Sequence, residues 1–383
     1  MPVSSAWTRR GFMATAVSGA MATAAPASAL FAYVGCYTSA KRYARGDGIH
    51  VFRVDEQTGA WSPAHVLGGL VNPSFLVLRK DQRFLYAAHG DEGYASAIAV
   101  ESGTGRLTLL NQVETGGVNG VHLALDNSGR FLVVANYTSG SVSVLRVSDD
   151  GRLGEAVQVV ALPGTPGPHR VEQASAHPHQ ILFEPGGRFV VVPDKGLDRI
   201  FVFGFDQKTG KLTPTAQGAG VARTMSGPRH AAFHPRLPVL WVVNEINSTI
   251  ATWMWEAERG HLKAAQILST LPAEYVGENT PSEIEVAPGG RHVYCSNRGH
   301  DSVVVYAADP ATGLLSPLGW EPSRGRIPRF IGMAPRGRLL YAANEQSDTI
   351  VSWRVDAASG QLTSTGAVVQ TPSPVSITFG RGA

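Results

Sequence analysis

Apolar residues recur along this chain in short runs, several alternating with polar ones, and the runs end in clusters of Gly, Pro, Asn or Asp. A period of two bounded by turn residues predicts strands rather than helices. One unit returns throughout: a short apolar strand, a turn of the Pro/Asp-Gly-Arg type, a second strand ending in Asn or Asp, a polar loop, a third alternating strand, and a hairpin of the Thr-Gly-Leu type. The second strands read FLYAAH after Arg83, FLVVAN after Arg130, FVVVPD after Arg188, VLWVVN after Pro238, HVYCSN after Arg291 and LLYAAN after Arg338, at spacings of 47, 58, 50, 53 and 47 residues. The hairpins start at Asp55, Glu101, Ser148, Asp206, Glu256, Asp309 and Asp356, which makes seven copies.

A period near 50 residues built from four short strands predicts a β-propeller, in which radial repetition leaves only short sheet edges. The expected fold is therefore all-β: seven blades, each of four antiparallel strands. The chain opens on a second-type strand at Ala32 and ends on an unpaired first-type strand, Pro374 to Phe379, so the last strand should complete the first blade and close the ring. No linker interrupts the period, so residues 30–383 are expected to form a single domain.

Composition agrees. The 43 Gly and 24 Pro suit many tight turns and serve helices badly. A net charge of +3 provides no clustered basic excess, so nucleic acid is not an expected partner. Two cysteines, Cys36 and Cys295, cannot form a disulfide framework or a cysteine-built metal site.

Residues 1–29 read as a twin-arginine export signal: Arg9-Arg10-Gly11-Phe12, an Ala-rich apolar run without acidic residues, and a small-residue cleavage site at Ala27-Ser28-Ala29. The expected partner is the twin-arginine export machinery and the expected location is the periplasm. The apolar run is too short and too rich in small and polar residues to anchor the chain stably in a membrane.

In a four-stranded meander the loop entering the first strand and the loop leaving the second lie at one end, and the first strands line the central channel. Polar residues in those loops should converge on one mouth. Before first strands lie His122, His177, His179, Arg229, His230, Glu283 and Arg329; after second strands lie His89, Asn136, Asp194, Asn244-Glu245, Asn297-Arg298 and Asn344-Glu345. Asn136 and Asn297 either bind substrate or hold the turns that Asn favours. His177 and His179, two residues apart, are compatible with a metal, which would need a third ligand from another blade.

At these residues the chain resembles the seven-bladed propeller lactonases, which include bacterial 6-phosphogluconolactonase and the fungal carboxy-muconate lactonizing enzyme. The stretches that carry the resemblance are Pro178-His179 through Pro185, Gly227-Pro228-Arg229-His230 through Pro235, Asn244-Glu245, and Ser296-Asn297-Arg298. An insert from Leu162 to Ala176, with Arg170 and Gln173, looks like the family's elongated inter-blade loop. By position, the resemblance implies catalytic roles for His179, Arg229, Glu245 and Arg298. Around them His177, His230, Asn136, Asn297 and Arg329 are candidate substrate contacts.

Lactone hydrolysis needs an activated water and a stabilised oxyanion. Glu245 or His179 can be the base, and Arg229 and Arg298 can hold the oxyanion or the product carboxylate, with no metal or cofactor required. The expected substrate is a small-molecule sugar lactone, and export favours an unphosphorylated one of the gluconolactone type. Two alternatives stand beside this reading: a non-catalytic periplasmic propeller that binds a partner or an acidic ligand, and a metal-dependent lactonase with His177, His179 and Glu245 as ligands.

Overall fold

The structure, a computed structural model, describes residues 1–3 and 29–381. The export signal expected at 1–29 therefore lies almost wholly outside the described residues. Among those described, seven four-stranded antiparallel sheets account for the regular structure, apart from one 3-10 turn at Ala40–Arg42. In six sheets the strands follow one another in chain order. In the remaining sheet Pro374–Arg381 is the innermost strand, paired with Leu30–Cys36 in a register running from Leu30 opposite Arg381 to Cys36 opposite Pro374. The ring is thus closed by joining the two ends of the chain in one blade, as the repeat count implies.

The core lies between blades rather than inside any one of them. Second strands such as Phe84–His89, Phe131–Asn136 and Val239–Asn244 are buried at every position, whereas outer strands such as Leu153–Ala161 alternate. Buried on both faces, the second strands read as near-continuous apolar runs. Trp241 and Val243 of one blade pack with Val293, Cys295 and Val304 of the next. The hairpin glycines lock this interface: Gly151 has φ +83°, and a Cβ there would lie 2.0 Å from the Phe84 ring of the preceding blade. Tyr86 in that blade donates to the Gly151 carbonyl at 3.0 Å.

The innermost strands share a feature that the turn-based reading of proline missed. Pro73, Pro228, Pro328 and Pro374 open these strands and Pro281 follows Thr280 at the start of another, positions at an edge strand's beginning that tolerate a missing N–H. Just past each of them, and past Gly120 in another blade, the register shifts through a β-bulge. A bulge leaves one residue unpaired and re-aims its side chain. His122, Arg229, His230, Glu283 and Arg329 therefore sit inside the first strands, at or beside these bulges, and not in loops before them. In the blade that carries the insert, the innermost strand shrinks to Leu182–Phe183, preceded by a single bridge from Pro178 to Asp194.

Candidate functional site

Each blade offers two positions to the mouth of the channel. One is the residue after the Pro or Gly near the start of the inner strand, bulged in every blade but the one that carries the insert: Ser74, Val121, His179, Arg229, Ser282, Arg329 and Val375. The other follows the last residue of the apolar second-strand run: Tyr37, Gly90, Tyr137, Lys195, Glu245, Arg298 and Glu345. Members of both sets surround a cavity of about 170 Å³ whose wall includes Tyr137, His179, Lys195, Glu245, Arg298 and Arg329. Below it is a throat of about 20 Å³, with His179, Arg229, His230, Glu283 and Arg329 in its wall. That is room for roughly one water. A larger hollow of about 470 Å³ opens among Arg79, Lys80, Asn127 and Arg130, in the turns that leave the first strands, and so lies at the opposite end of the ring.

Glu245 is the electrostatic hub. Its Oε1 accepts from Lys195 Nζ at 2.7 Å, and its Oε2 lies 2.8 Å from Arg229 Nε and 3.2 Å from an Arg298 terminal nitrogen. Burial alone would raise its pKa, but Arg298, Lys195 and Arg229 together hold it far below the usual carboxylate range. Lys195 is also paired with Glu172 of the insert, and Gln173 donates to the Lys195 carbonyl at 3.0 Å. The insert that lengthens the fourth repeat therefore grips the lysine at the cavity wall. Arg298 is further fixed by donating to the Thr280 carbonyl at 2.9 Å, and Arg329 lies 3.7 Å from Glu345.

A second network runs through the throat. His179 Nδ1 and His230 Nε2 are 3.2 Å apart, and His230 Nδ1 is 2.7 Å from Glu283 Oε1. Burial, with Arg229 close by, pushes both imidazoles well below their ordinary pKa, so both are neutral. Burial pushes Glu283 the other way, up to about 8. His122 stacks on Phe75 at 3.9 Å, and its Nδ1 accepts the Ile181 N–H at 3.3 Å, which steadies the chain just after His179.

His179, Glu245, Arg298 and Arg329, expected at the mouth, do meet at the cavity, whereas Arg229 and His230 lie in the throat beneath it. Asn136 and Asn297 are not part of the cavity. Asn136 donates to Ser141 and Ser143 and accepts from Thr115, while Asn297 donates to the Thr270 carbonyl and accepts from Asn279. They knit blade edges together, as the turn reading of Asn allowed. His177 is likewise turned away, with its Nδ1 3.0 Å from the Tyr137 carbonyl and its ring stacked on Tyr137 at 4.3 Å. The ligand set His177, His179 and Glu245 does not assemble, because the carboxylate is occupied by three cations and His177 by Tyr137. Sequence reasoning passed over Lys195, Tyr137 and Glu172. Lys195 and Tyr137 occupy the same repeat position as Glu245 and Arg298, and aligning the repeats one residue further would have found them.

A family model described as "Lactonase, 7-bladed beta-propeller" matches residues 31–379. The chain is 32% identical over 286 residues to a 6-phosphogluconolactonase of Bacillus subtilis, covering 74% of this chain and 79% of that one. It is 29% identical over 303 residues to a 6-phosphogluconolactonase of Formosa agariphila, covering 77% and 84%. Among solved structures, the periplasmic gluconolactonase of Pseudomonas aeruginosa superposes with a TM-score of 0.85 at 29% identity, covering 93% of this chain and 100% of that one.

Proposed function

The chain belongs to the seven-bladed β-propeller lactonase family and is a lactone hydrolase; from that premise we propose that it opens an unphosphorylated sugar lactone in the periplasm, with His179 as the general base. Export would follow the twin-arginine route read from Arg9-Arg10. No helix among the described residues is long and apolar enough to cross a membrane.

The observation that carries the choice of base is the ion cluster on Glu245. A carboxylate held by Lys195, Arg229 and Arg298 has little affinity for a proton and cannot take one from water. His179 is neutral, lies at the wall of both cavity and throat, and has no partner for its Nε2 among the described residues. Water bound beside that nitrogen gives up its proton as its oxygen adds to the lactone carbonyl. The oxyanion that forms is met by Arg298 and Arg329, with Lys195 adding to the field, in a site that Glu245 has already organised. Arg229 acts from beneath, orienting Glu245.

Charge and size favour an unphosphorylated substrate. In and beneath the cavity the cations are Arg42, Lys195, Arg229, Arg298 and Arg329, and the carboxylates paired with them are Asp91, Glu172, Glu245 and Glu345. These pairs leave one net positive charge, which the ionised form of Glu283 in the throat offsets, so nothing is left free for a phosphate dianion. A cavity of about 170 Å³ is also below the range of roughly 300–1,000 Å³ typical of drug-sized sites, which suits a single-ring lactone. The test is a pH-stat assay of glucono-δ-lactone and 6-phosphogluconolactone, with and without chelator, on wild type and His179→Ala. The expected result is a higher kcat/KM for the unphosphorylated lactone, no effect of chelator, and a loss of about 10²–10⁴ in kcat for the variant. Preference for the phosphorylated lactone, loss of rate with chelator, or full activity in His179→Ala would each overturn the corresponding element.

A further inference from the structure

We infer that Glu283 and His230 form a proton relay behind His179, and that Glu283, in the throat beneath the cavity, is the group that finally stores the proton taken from water. This rests on His179 being the base. The chain of contacts is direct: Glu283 Oε1 to His230 Nδ1 at 2.7 Å, and His230 Nε2 to His179 Nδ1 at 3.2 Å, with all three side chains buried.

Two uncharged-ring arrangements are linked by passing a proton along this chain of contacts. With Glu283 ionised, His230 must donate from Nδ1 to the carboxylate, its Nε2 must accept from His179 Nδ1–H, and His179 Nε2 is left with a lone pair. That is the base form. With Glu283 protonated, its O–H donates to His230 Nδ1, His230 Nε2–H donates to His179 Nδ1, and His179 Nε2 carries a hydrogen. That is the acid form. Each ring's tautomer is set by the hydrogen bond at its other nitrogen.

A water O–H bond breaks and its proton forms His179 Nε2–H, while the water's electron pair forms the bond to the lactone carbon and the carbonyl π pair moves to oxygen. Proton transfer from His179 Nδ1 to His230 Nε2, and from His230 Nδ1 to Glu283, leaves both rings neutral. When the ring C–O bond breaks, the departing alkoxide takes the proton from His179 Nε2 and the two internal transfers reverse. At no stage does an imidazolium exist. Without the relay, His179 would have to hold a full positive charge while buried beside Arg229, the situation that burial and that guanidinium disfavour.

The groups that face Glu283 are few. His230 and Arg229 approach from one neighbouring innermost strand and Arg329 from the other. Glu285 lies on its own strand and Cys295 on the strand behind. The Ile284 N–H donates to Oε1 at 3.1 Å, which keeps the carboxyl directed at His230. The two arginines favour the ionised form, burial opposes it, and burial wins. The switch between base and acid forms therefore falls near neutral to mildly alkaline pH.

Glu283→Gln preserves shape and an acceptor for His230 Nδ1–H but cannot take the proton. With glucono-δ-lactone as probe, kcat is expected to fall by about 10²-fold with KM changed less than threefold, and the rise of kcat with pH seen in wild type should disappear. If His179→Ala is inactive while Glu283→Gln keeps wild-type kcat and the same pH dependence, the relay is wrong and His179 remains the base. If His179→Ala is itself fully active, the reading of the base fails first. Two-bond proton–nitrogen spectra of the wild-type imidazoles give a check that requires no variant to fold. Both rings should be neutral and Nδ1-protonated at high pH and move together to the Nε2 tautomer as pH falls. Independent titration of either ring to imidazolium would overturn the relay.

Discussion

Arg229 Nε and Glu245 Oε2 lie 2.8 Å apart although they come from different strands of one blade, and both side chains are almost wholly withdrawn from solvent. Charges at a channel mouth are ordinarily expected to contribute little to packing. Here Glu245 is the common counter-charge of three buried cations, and removing one partner of a buried pair costs about 3–5 kcal/mol because the other charges stay behind. Glu245→Gln should therefore lose stability as well as activity. A thermal melt of the variant, measured beside its lactonase rate, checks both.

The same cluster sets the acid limit. Glu245 has a folded pKa far below its ordinary 4.5, so its contribution is present above that value and is lost as pH falls through the folded pKa. Chemical denaturation from pH 6 down to pH 3 should show a loss of stability that is smaller in Glu245→Gln.

On the alkaline side the sign reverses. Glu283 and Glu285 are pushed up to about 8 by burial, so the unfolded chain releases these protons first and stability falls as pH rises through the folded values. The buried histidines act oppositely, but only below their ordinary 6.5. Between pH 6.5 and about 8 these two carboxyls act in the same direction as Asp194, which burial pushes up to about 7, at up to about 1.4 kcal/mol per pH unit for each group. Equilibrium unfolding at the two ends of that window should show the decline, and Glu285→Gln should flatten part of it.

Deleting the last strand, residues 374–383, should abolish cooperative unfolding. It removes the innermost strand of the closing blade, exposes the whole edge of Leu30–Cys36 and takes Ile377 out of an inter-blade cluster. A circular dichroism melt with an unchanged midpoint would refute the closure.

Gly196 is where the insert presses closest to the site: a Cβ there would lie 1.7 Å from the Ser175 carbonyl oxygen. Gly196→Ala should push the insert away, cost about 1–3 kcal/mol and loosen Glu172 from Lys195. A higher KM with a modest change in kcat is the expected kinetic signature.

Export is tested separately by Arg9→Lys with Arg10→Lys. Retention of the protein in the cytoplasm is expected, and normal periplasmic recovery would remove the twin-arginine assignment.

What the sequence by itself determined was everything that repeats locally. Strand patterning, turn glycines and the closing strand at Pro374 follow from chemistry within about 50 residues, and every blade must solve the same packing problem against its neighbours. The same periodicity brought His179, Glu245 and Arg298 to one mouth, with Arg229 just beneath it. What only the tertiary structure decided was who pairs with whom across blades. His179, His230 and Glu283 are separated by 51 and 53 residues, and Lys195 and Glu245 by 50, so their contacts exist only once the ring has closed. Protonation follows those contacts: two glutamates that look alike in sequence end on opposite sides of their ordinary pKa, because Glu245 faces three cations and Glu283 is buried against a neutral imidazole. The bulges behind the opening prolines, which aim the inner-strand side chains, were equally hidden, since a proline at a strand edge and a proline in a turn read the same until the neighbouring strand is in place.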